Sequence, residues 1–371
     1  MAPAGRRPRQ VWLAAVLTLA LLPSAVAGPS VVAARSERPG PTAASGRQRP
    51  PAPPGFATTV AEHGANPLKP RTDRPLRVLV SGDVLIHNTV WEAARTAEGF
   101  DFGPQLAELR PVVSHVDLAL CHLETPLAPA DGPFSTYPRF SAPPQIAEAL
   151  SQTGYDACTT ASNHSVDQGT AGVNRTLDAL DAAGLGHTGT ARSRTESDRI
   201  TTFTARGMTL AWLAYTYGTN GLPIDGRRPW SVNLIDERRI LADAARARRA
   251  GADAVLVALH WGQEYQSAPS AEQRALAERL TRSPDITAIY GHHAHVVQPI
   301  ERINGTWVVF GLGNLLADQA TIAPGVDDGL MVRLVFRRGP DGRVRVVGRP
   351  GVVATRIVRD GGPHVVLAGD E

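Results

Sequence analysis

From residue 76 onward, apolar positions recur with two different periods. The short runs RVLVSG (77–82), DLALC (117–121) and DACTT (156–160) are continuously apolar and read as buried strands. Between and after them, residues 90–95, 104–109, 145–152 and 171–183 space their apolar side chains as helices do, and Gly184 supplies a helix stop. Strands that alternate with helices in this way predict βαβ units in a parallel sheet. Two strand-like stretches follow at 200–205 and 208–215, then a helix at 236–250 and the buried strand AVLVALH at 254–260. A helix at 271–281 leads into ITAIYG at 286–291. VVQPIER and TWVVFGL flank Asn304-Gly305, a strong two-residue hairpin signal. Strands near 329–337 and 343–348 are joined by Gly339-Pro340-Asp341-Gly342, so the C-terminal third is expected to be mostly antiparallel. The whole pattern predicts a mixed α/β sandwich without internal repeats.

The first 75 residues obey neither period. Arg6, Arg7 and Arg9, an apolar run from Val11 to Leu22, and Ala25-Val26-Ala27 have the order of a secretory signal, which assigns 1–27 as a leader. The apolar run is shorter than the ~20 residues that span a bilayer, so contact with a membrane is expected only during export. Residues 28–75, rich in Pro, Ala, Arg, Ser and Gly, read as a disordered linker, and 76–371 as the folded domain. The protein is therefore expected to be secreted or displayed at the cell surface.

Charge separates along the same boundaries. The chain of 371 residues has a formal net charge of +3, of which the leader holds all three and the linker a further four positive charges. Residues 76–371 are left near −4. A fold that binds nucleic acid needs a basic face, so that class of partner is excluded. The two cysteines, Cys121 and Cys158, each lie in an apolar run and read as buried small hydrophobes, although an exported chain could also pair them.

Candidate chemistry collects where the buried strands end, which is where open α/β sheets bind ligands. The run at 77–82 leads into Asp83 and His87; that at 117–121 into His122 and Glu124; that at 156–160 into Asn163 and His164. The run at 254–260 ends on His260, with Trp261, Glu264 and Tyr265 beyond, and 286–291 leads into His292, His293 and His295. Seven of the eleven histidines fall in these five segments, which argues for one site. Carboxylates, an amide oxygen and imidazoles form a mixed O/N donor set suited to one or two divalent ions such as Mn, Fe or Zn. Two neighbouring ions would lower the pKa of a bound water and clamp the oxygens of a phosphoryl group. Asp167 reads as a helix cap before Gly169, Arg139 as an anion contact, and Trp261, Tyr265 and Asn314 as pocket-lining residues.

GDVLIH, HLETP, ASNHSVDQG, LHWGQEY and GHHAHVVQP, in this order, resemble the capsule-synthesis CapA family, a branch of the calcineurin-like metallophosphoesterases associated with poly-γ-glutamate. The resemblance runs over about 77–318 and implies an α/β/β/α sandwich with a mixed sheet. It implies that Asp83, Glu124, Asn163, His260, His293 and His295 ligate metal, with Glu124 bridging, and that His164 contacts the scissile group as an acid. Leu85 stands where the wider superfamily has a histidine, which leaves His87, His122, His292 and Glu264 as further ligands or supporting groups. The implied function is metal-dependent hydrolysis, by an activated water, of a phosphoester or anionic envelope polymer. A γ-glutamyl amide hydrolase and a non-catalytic polymer-binding or export scaffold stand beside it.

Overall fold

The computed structural model describes residues 74–369; the leader assigned to 1–27 and nearly all of the linker assigned to 28–75 lie outside them. The first half follows the alternating pattern. Strand β1 (Leu76–Val84) is followed by helix α1 (Asn88–Ala93), the short pair β2 (Arg95–Thr96) and β3 (Gly99–Phe100), a 3₁₀ turn at Pro104–Leu109 and α2 (Arg110–Val113). Next come β4 (Leu118–Leu123), α3 (Gln145–Thr153), β5 (Ala157–Thr159), α4 (Gly169–Ala182), β6 (Gly186–Thr188) and α5 (Arg194–Ser197). The second half contains β7 (Thr201–Ala205), β8 (Met208–Thr216), α6 (Glu237–Arg249), β9 (Ala254–His260), α7 (Ala271–Thr281) and β10 (Ala288–His292). It ends in β11 (Ile300–Ile303), β12 (Thr306–Val309), β13 (Asn314–Leu316), β14 (Asp328–Arg338), β15 (Val344–Val346), β16 (Gly351–Val358) and β17 (His364–Leu367).

These strands form two large sheets. One has the order β17-β16-β14-β1-β4-β5-β6, with β13 added beside β1 and β15 beside β14; the other has the order β11-β12-β10-β9-β8-β7. The period of two decides what lies between them. Val78, Val80, Leu118 and Leu120 from the first sheet meet Leu210, Trp212, Leu256, Ala258 and Tyr290 from the second in one dry layer. Within it the Trp212 indole donates to the Tyr290 hydroxyl at 2.8 Å, so neither buried polar group is left unpaired. The opposite faces carry Leu79, Ala119 and Cys121 against α1–α4, and Ala211, Leu213, Val255 and Val257 against α6 and α7. The layers are therefore α/β/β/α, as the resemblance implies.

Local signals place most boundaries. Asp236 caps α6 by accepting from Arg239 N, and Ser270 and Gln273 form a reciprocal capping box on α7. Asn304 and Gly305 both take positive φ, the two-residue turn that joins β11 to β12. Short or half-polar strands escaped the sequence pattern, namely β2, β3, β6, β13, β16 and β17. Among the described residues no helix is long and apolar enough to cross a membrane.

The cysteines need a correction. Both are buried, as expected of small hydrophobes, but Cys121 on β4 stands directly opposite Cys158 on the neighbouring parallel strand β5, and the two form a disulfide. The pairing depends on strand order, which neither apolar run reveals. Closing a loop across 37 residues is worth about 3–4 kcal/mol by chain entropy. Replacing both cysteines by alanine is expected to lower unfolding free energy by about that amount. Thiol titration of the denatured, unreduced chain checks the bond itself: no free thiol is expected, and two would disprove it.

Candidate metal centre

Strands β1, β4 and β5 run parallel in one sheet, as do β8, β9 and β10 in the other, and their carboxyl ends open on one edge of the sandwich. Register then sets the neighbours. Asp83 pairs with His122 and with Asn314, while His260 pairs with both His292 and Thr216. Gly82 allows the β13 loop to close on β1, because a Cβ there would sit 2.3 Å from Gly313 O. Gly291 is equally constrained: a Cβ would lie 1.9 Å from Phe310 O. After β10 the backbone turns sharply, with φ of +87° at His293 and +56° at His295. Left-handed conformations are unfavourable for residues with a Cβ and gather at functional sites.

The result is a buried cluster of eight polar side chains: Asp83, His122, Glu124, Asn163, His260, His292, His293 and His295. Three overlapping triads place potential ligand atoms within 4.8 Å of one another: Asp83–His122–His292, His122–Glu124–His260 and Glu124–His293–His295. Several imidazoles are fixed from behind. His292 Nδ1 donates to Asp83 Oδ1 at 2.6 Å, and His295 Nδ1 donates to Asn314 Oδ1 at 3.0 Å. Asn314 in turn is oriented by its own amide donating to Gln319 Oε1 and Val326 O. Such partners select the tautomer whose other nitrogen carries a lone pair.

The cluster fits divalent ions on grounds visible in the donors themselves. Both oxygens of Glu124, His292 Nε2 and His293 Nδ1 are buried without any hydrogen-bond partner. Glu124 Oε1 lies 3.7 Å from both His260 Nε2 and His295 Nε2, too far for hydrogen bonds. Ligand atoms sharing a tetrahedral ion at about 2.1 Å stand roughly 3.4 Å apart, close to that spacing. Buried acceptors left unpaired are costly, and bound cations satisfy them.

Electrostatics agrees with this role. Burial, reinforced by neighbouring imidazoles, holds His122 and His260 well below the usual histidine range, and burial beside His295 takes His293 down to about 3. These rings are neutral, as ligands must be. Burial would raise Asp83, but His292 outweighs it and keeps the carboxyl ionised. Burial drives Glu124 upward; against its own burial, His295 is raised to about 9 by Glu124 and Asp83. Both shifts arise from a carboxylate and an imidazole buried side by side without a hydrogen bond between them.

The remaining sequence candidates divide. His164 sits at the cluster's edge, next in sequence to Asn163, with its Nδ1 donating to Asp167 Oδ2 at 2.7 Å. Asp167 is therefore not a helix cap: its carboxylate takes His164 and Phe140 N, while Gln168 is the residue before α4. His87 does not complete the Asp83 group. Its Nδ1 faces Leu85 O and Asp318 N, and its ring stands edge-on to Phe140; His122 and His292 are the imidazoles beside Asp83. Leu85, at the missing-histidine position, is packed with Phe140 and Ala317. Arg139 is exposed, and its guanidinium donates to Asp167 O. Trp261 is a packing residue, bonded to Phe310 O and stacked on Phe310. Glu264 is exposed beside half-buried Tyr265, whose ring stacks on His295.

Two residues at the cluster were missed. Tyr217, 49% exposed, lies 4.6 Å from the His293 ring, and its hydroxyl donates to Asn220 Oδ1, which also accepts from Asn163. Both follow the carboxyl end of β8, so the strand-end rule that found the other segments also covers them.

Comparison with known proteins identifies relatives of the chain as a whole. Residues 77–319 match the family model of the bacterial capsule synthesis protein PGA_cap. The chain is 29% identical to the PGA biosynthesis protein CapA of Bacillus subtilis over 54% of its own length and 52% of that protein. It is 26% identical to the capsule biosynthesis protein CapA of Bacillus anthracis over 68% of its length and 62% of that protein. It thus spans only about half to three-fifths of these relatives. Among solved structures, a calcineurin-like phosphoesterase from Bacillus subtilis aligns with a TM-score of 0.45 at 16% identity, covering 75% of this chain and 90% of that one.

Elemental analysis of the purified chain is expected to find about two equivalents of divalent metal. His292→Ala should lower this to about one, and chelation should lower the melting temperature because the buried acceptors become unpaired again. Two equivalents retained in His292→Ala would remove that residue from the ligand set.

Proposed function

The chain belongs to the bacterial capsule synthesis protein family PGA_cap, and from that membership we propose that it is a divalent-metal-dependent hydrolase of extracytoplasmic polymer metabolism. The observation that carries this reading is the group of unpartnered acceptors on Glu124, His292 and His293, gathered at the ends of strands from both sheets. Mn, Fe or Zn held there by Asp83, Glu124, Asn163, His260, His293 and His295, with His292 beside them, would supply Lewis acidity and a water of lowered pKa.

The chain's own residues supply the rest. Asp167 accepts the Nδ1 proton of His164, which fixes the tautomer and leaves Nε2 as the atom that exchanges a proton with substrate. Phe140 packs edge-on against the His164 ring at 4.7 Å and limits its rotation. Tyr217 and Tyr265 lie against His293 and His295 on the solvent side, and so present themselves to an incoming group. The substrate in this reading is a phosphoester or an anionic envelope polymer, with the γ-glutamyl amide bond as the second substrate class. Export is supported by the leader pattern and by the Cys121–Cys158 disulfide, a bond favoured in oxidising compartments.

The test is turnover of bis(p-nitrophenyl) phosphate and of γ-glutamyl oligomers by the metal-loaded chain. Glu124→Ala and His260→Ala are expected to abolish turnover together with metal content. His164→Ala should retain metal and lower kcat by about 10²–10⁴. A metal-loaded chain that binds the oligomers but turns over neither substrate would replace the hydrolase reading with that of a polymer-binding scaffold.

A further inference from the structure

A second cluster of unmet hydrogen-bonding groups lies elsewhere, and its polarity is the reverse of the metal centre's. A pocket of about 320 Å³ opens between α5, Trp230 and one face of α6, and none of its lining residues belongs to the centre. Arg239, Asp243 and Arg246 line it from α6 at helical spacing, with Arg194 and Asp198 opposite. Two N–H groups of these lining residues, Trp230 Nε1 and Arg246 Nε, are shielded from solvent and have no hydrogen-bond partner, although the Arg246 side chain as a whole is 41% exposed. No side-chain acceptor of the lining residues is left buried and unmet.

The charges agree with the donors. Three arginines face two aspartates, and Asp243 is already engaged by the Tyr215 hydroxyl at 2.8 Å, Arg246 Nη2 at 3.0 Å and Arg239 Nε at 3.6 Å. Arg194 lies 4.8 Å over the Trp230 ring and holds the indole in place by a cation–π contact. A ligand that pairs with unmet donors among guanidinium groups must bring acceptors and negative charge.

We propose that this pocket is a binding site for an oxyanion, a carboxylate or phosphate group, seated on Trp230 Nε1 and Arg246 Nε between Arg194 and Arg239. The site is independent of the metal centre and does not require the chain to be a hydrolase.

The experiment follows the Trp230 indole N–H resonance, assigned with Trp230→Phe, while the full chain is titrated with inorganic phosphate or with glutarate. Sodium chloride at matched ionic strength is the control. A saturable shift is expected, and it should be the same in Glu124→Ala, which separates this pocket from anion binding at the metal centre. Saturation by phosphate alone, by glutarate alone or by both identifies the source of the oxyanion, and each supports the site. Arg246→Met should weaken binding by about ten- to a hundredfold, the loss of one charge-assisted hydrogen bond. Trp230→Phe, which keeps the ring beneath Arg194, should weaken it about tenfold by calorimetry. Shifts that merely follow ionic strength, or that vanish in Glu124→Ala, would overturn the proposal.

Discussion

Glu124 is 1% exposed, and neither of its carboxylate oxygens accepts a hydrogen bond. A protein interior does not tolerate such a group without compensation, because losing hydration costs several kcal/mol that must come back from a partner. Here the available partners are imidazole nitrogens 3.7 Å away, which are the wrong distance for hydrogen bonds and a suitable one for sharing an ion. Much of the architecture follows from holding that arrangement open. The dry layer between the sheets keeps six strand ends in fixed register, so the donors cannot collapse onto one another. Gly82 and Gly291 let neighbouring backbone approach closely enough to bring Asp83 and His292 together.

The supporting contacts share one device. Asp83 behind His292, Asn314 behind His295 and Asp167 behind His164 each place a short acceptor against Nδ1, so the opposite nitrogen faces the site. In the first two cases, residues from the first sheet's strands, β1 and β13, fix imidazoles carried by the second sheet. The centre therefore belongs to neither sheet. Slippage between the sheets would release tautomer control and ligand geometry together. The left-handed backbone at His293 and His295 works in the same direction: local conformational preference is overridden so that two imidazoles two residues apart both reach Glu124.

How much of this was legible in the sequence depends on the distance over which each feature is determined. Strands 254–260 and 271–281's helix have their boundaries written in local periodicity and capping residues, and the structure reproduces them. The five strand-end segments were also legible, because each polar residue directly follows an apolar run. The disulfide was not, since it requires β4 and β5 to be neighbours in register, a property of the whole sheet. Nor was the choice between His87 and His292 beside Asp83. Four residues separate His87 from Asp83 in sequence, yet the chain turns it toward Asp318, while His292 arrives from the other sheet. Asp167 shows the same limit in reverse. Its position before a helix suggests a cap, but tertiary contact with His164 and Phe140 decides its role. β16 and β17 escaped because β16 alternates exposed and half-buried positions and β17 is four residues long, so neither gives a strong apolar signal.

The two polar sites differ in the sign of what they lack. At the strand ends the unmet atoms are acceptors, Glu124 Oε1 and Oε2 with imidazole lone pairs, and a cation is the species that satisfies them. Beside α6 the unmet atoms are donors on an indole and a guanidinium, and an anion is the complement. The connection between β8 and α6 visits both: Tyr217 and Asn220 lie at the first site and Trp230 at the second. Tyr215, two residues before Tyr217, bonds Asp243 in the α6 stripe. The end of the strand accounts for that split, since Tyr215 faces α6 within β8 and the chain leaves the strand after Thr216. One continuous segment thus carries a residue against an imidazole of the metal centre and another against the arginines of the pocket.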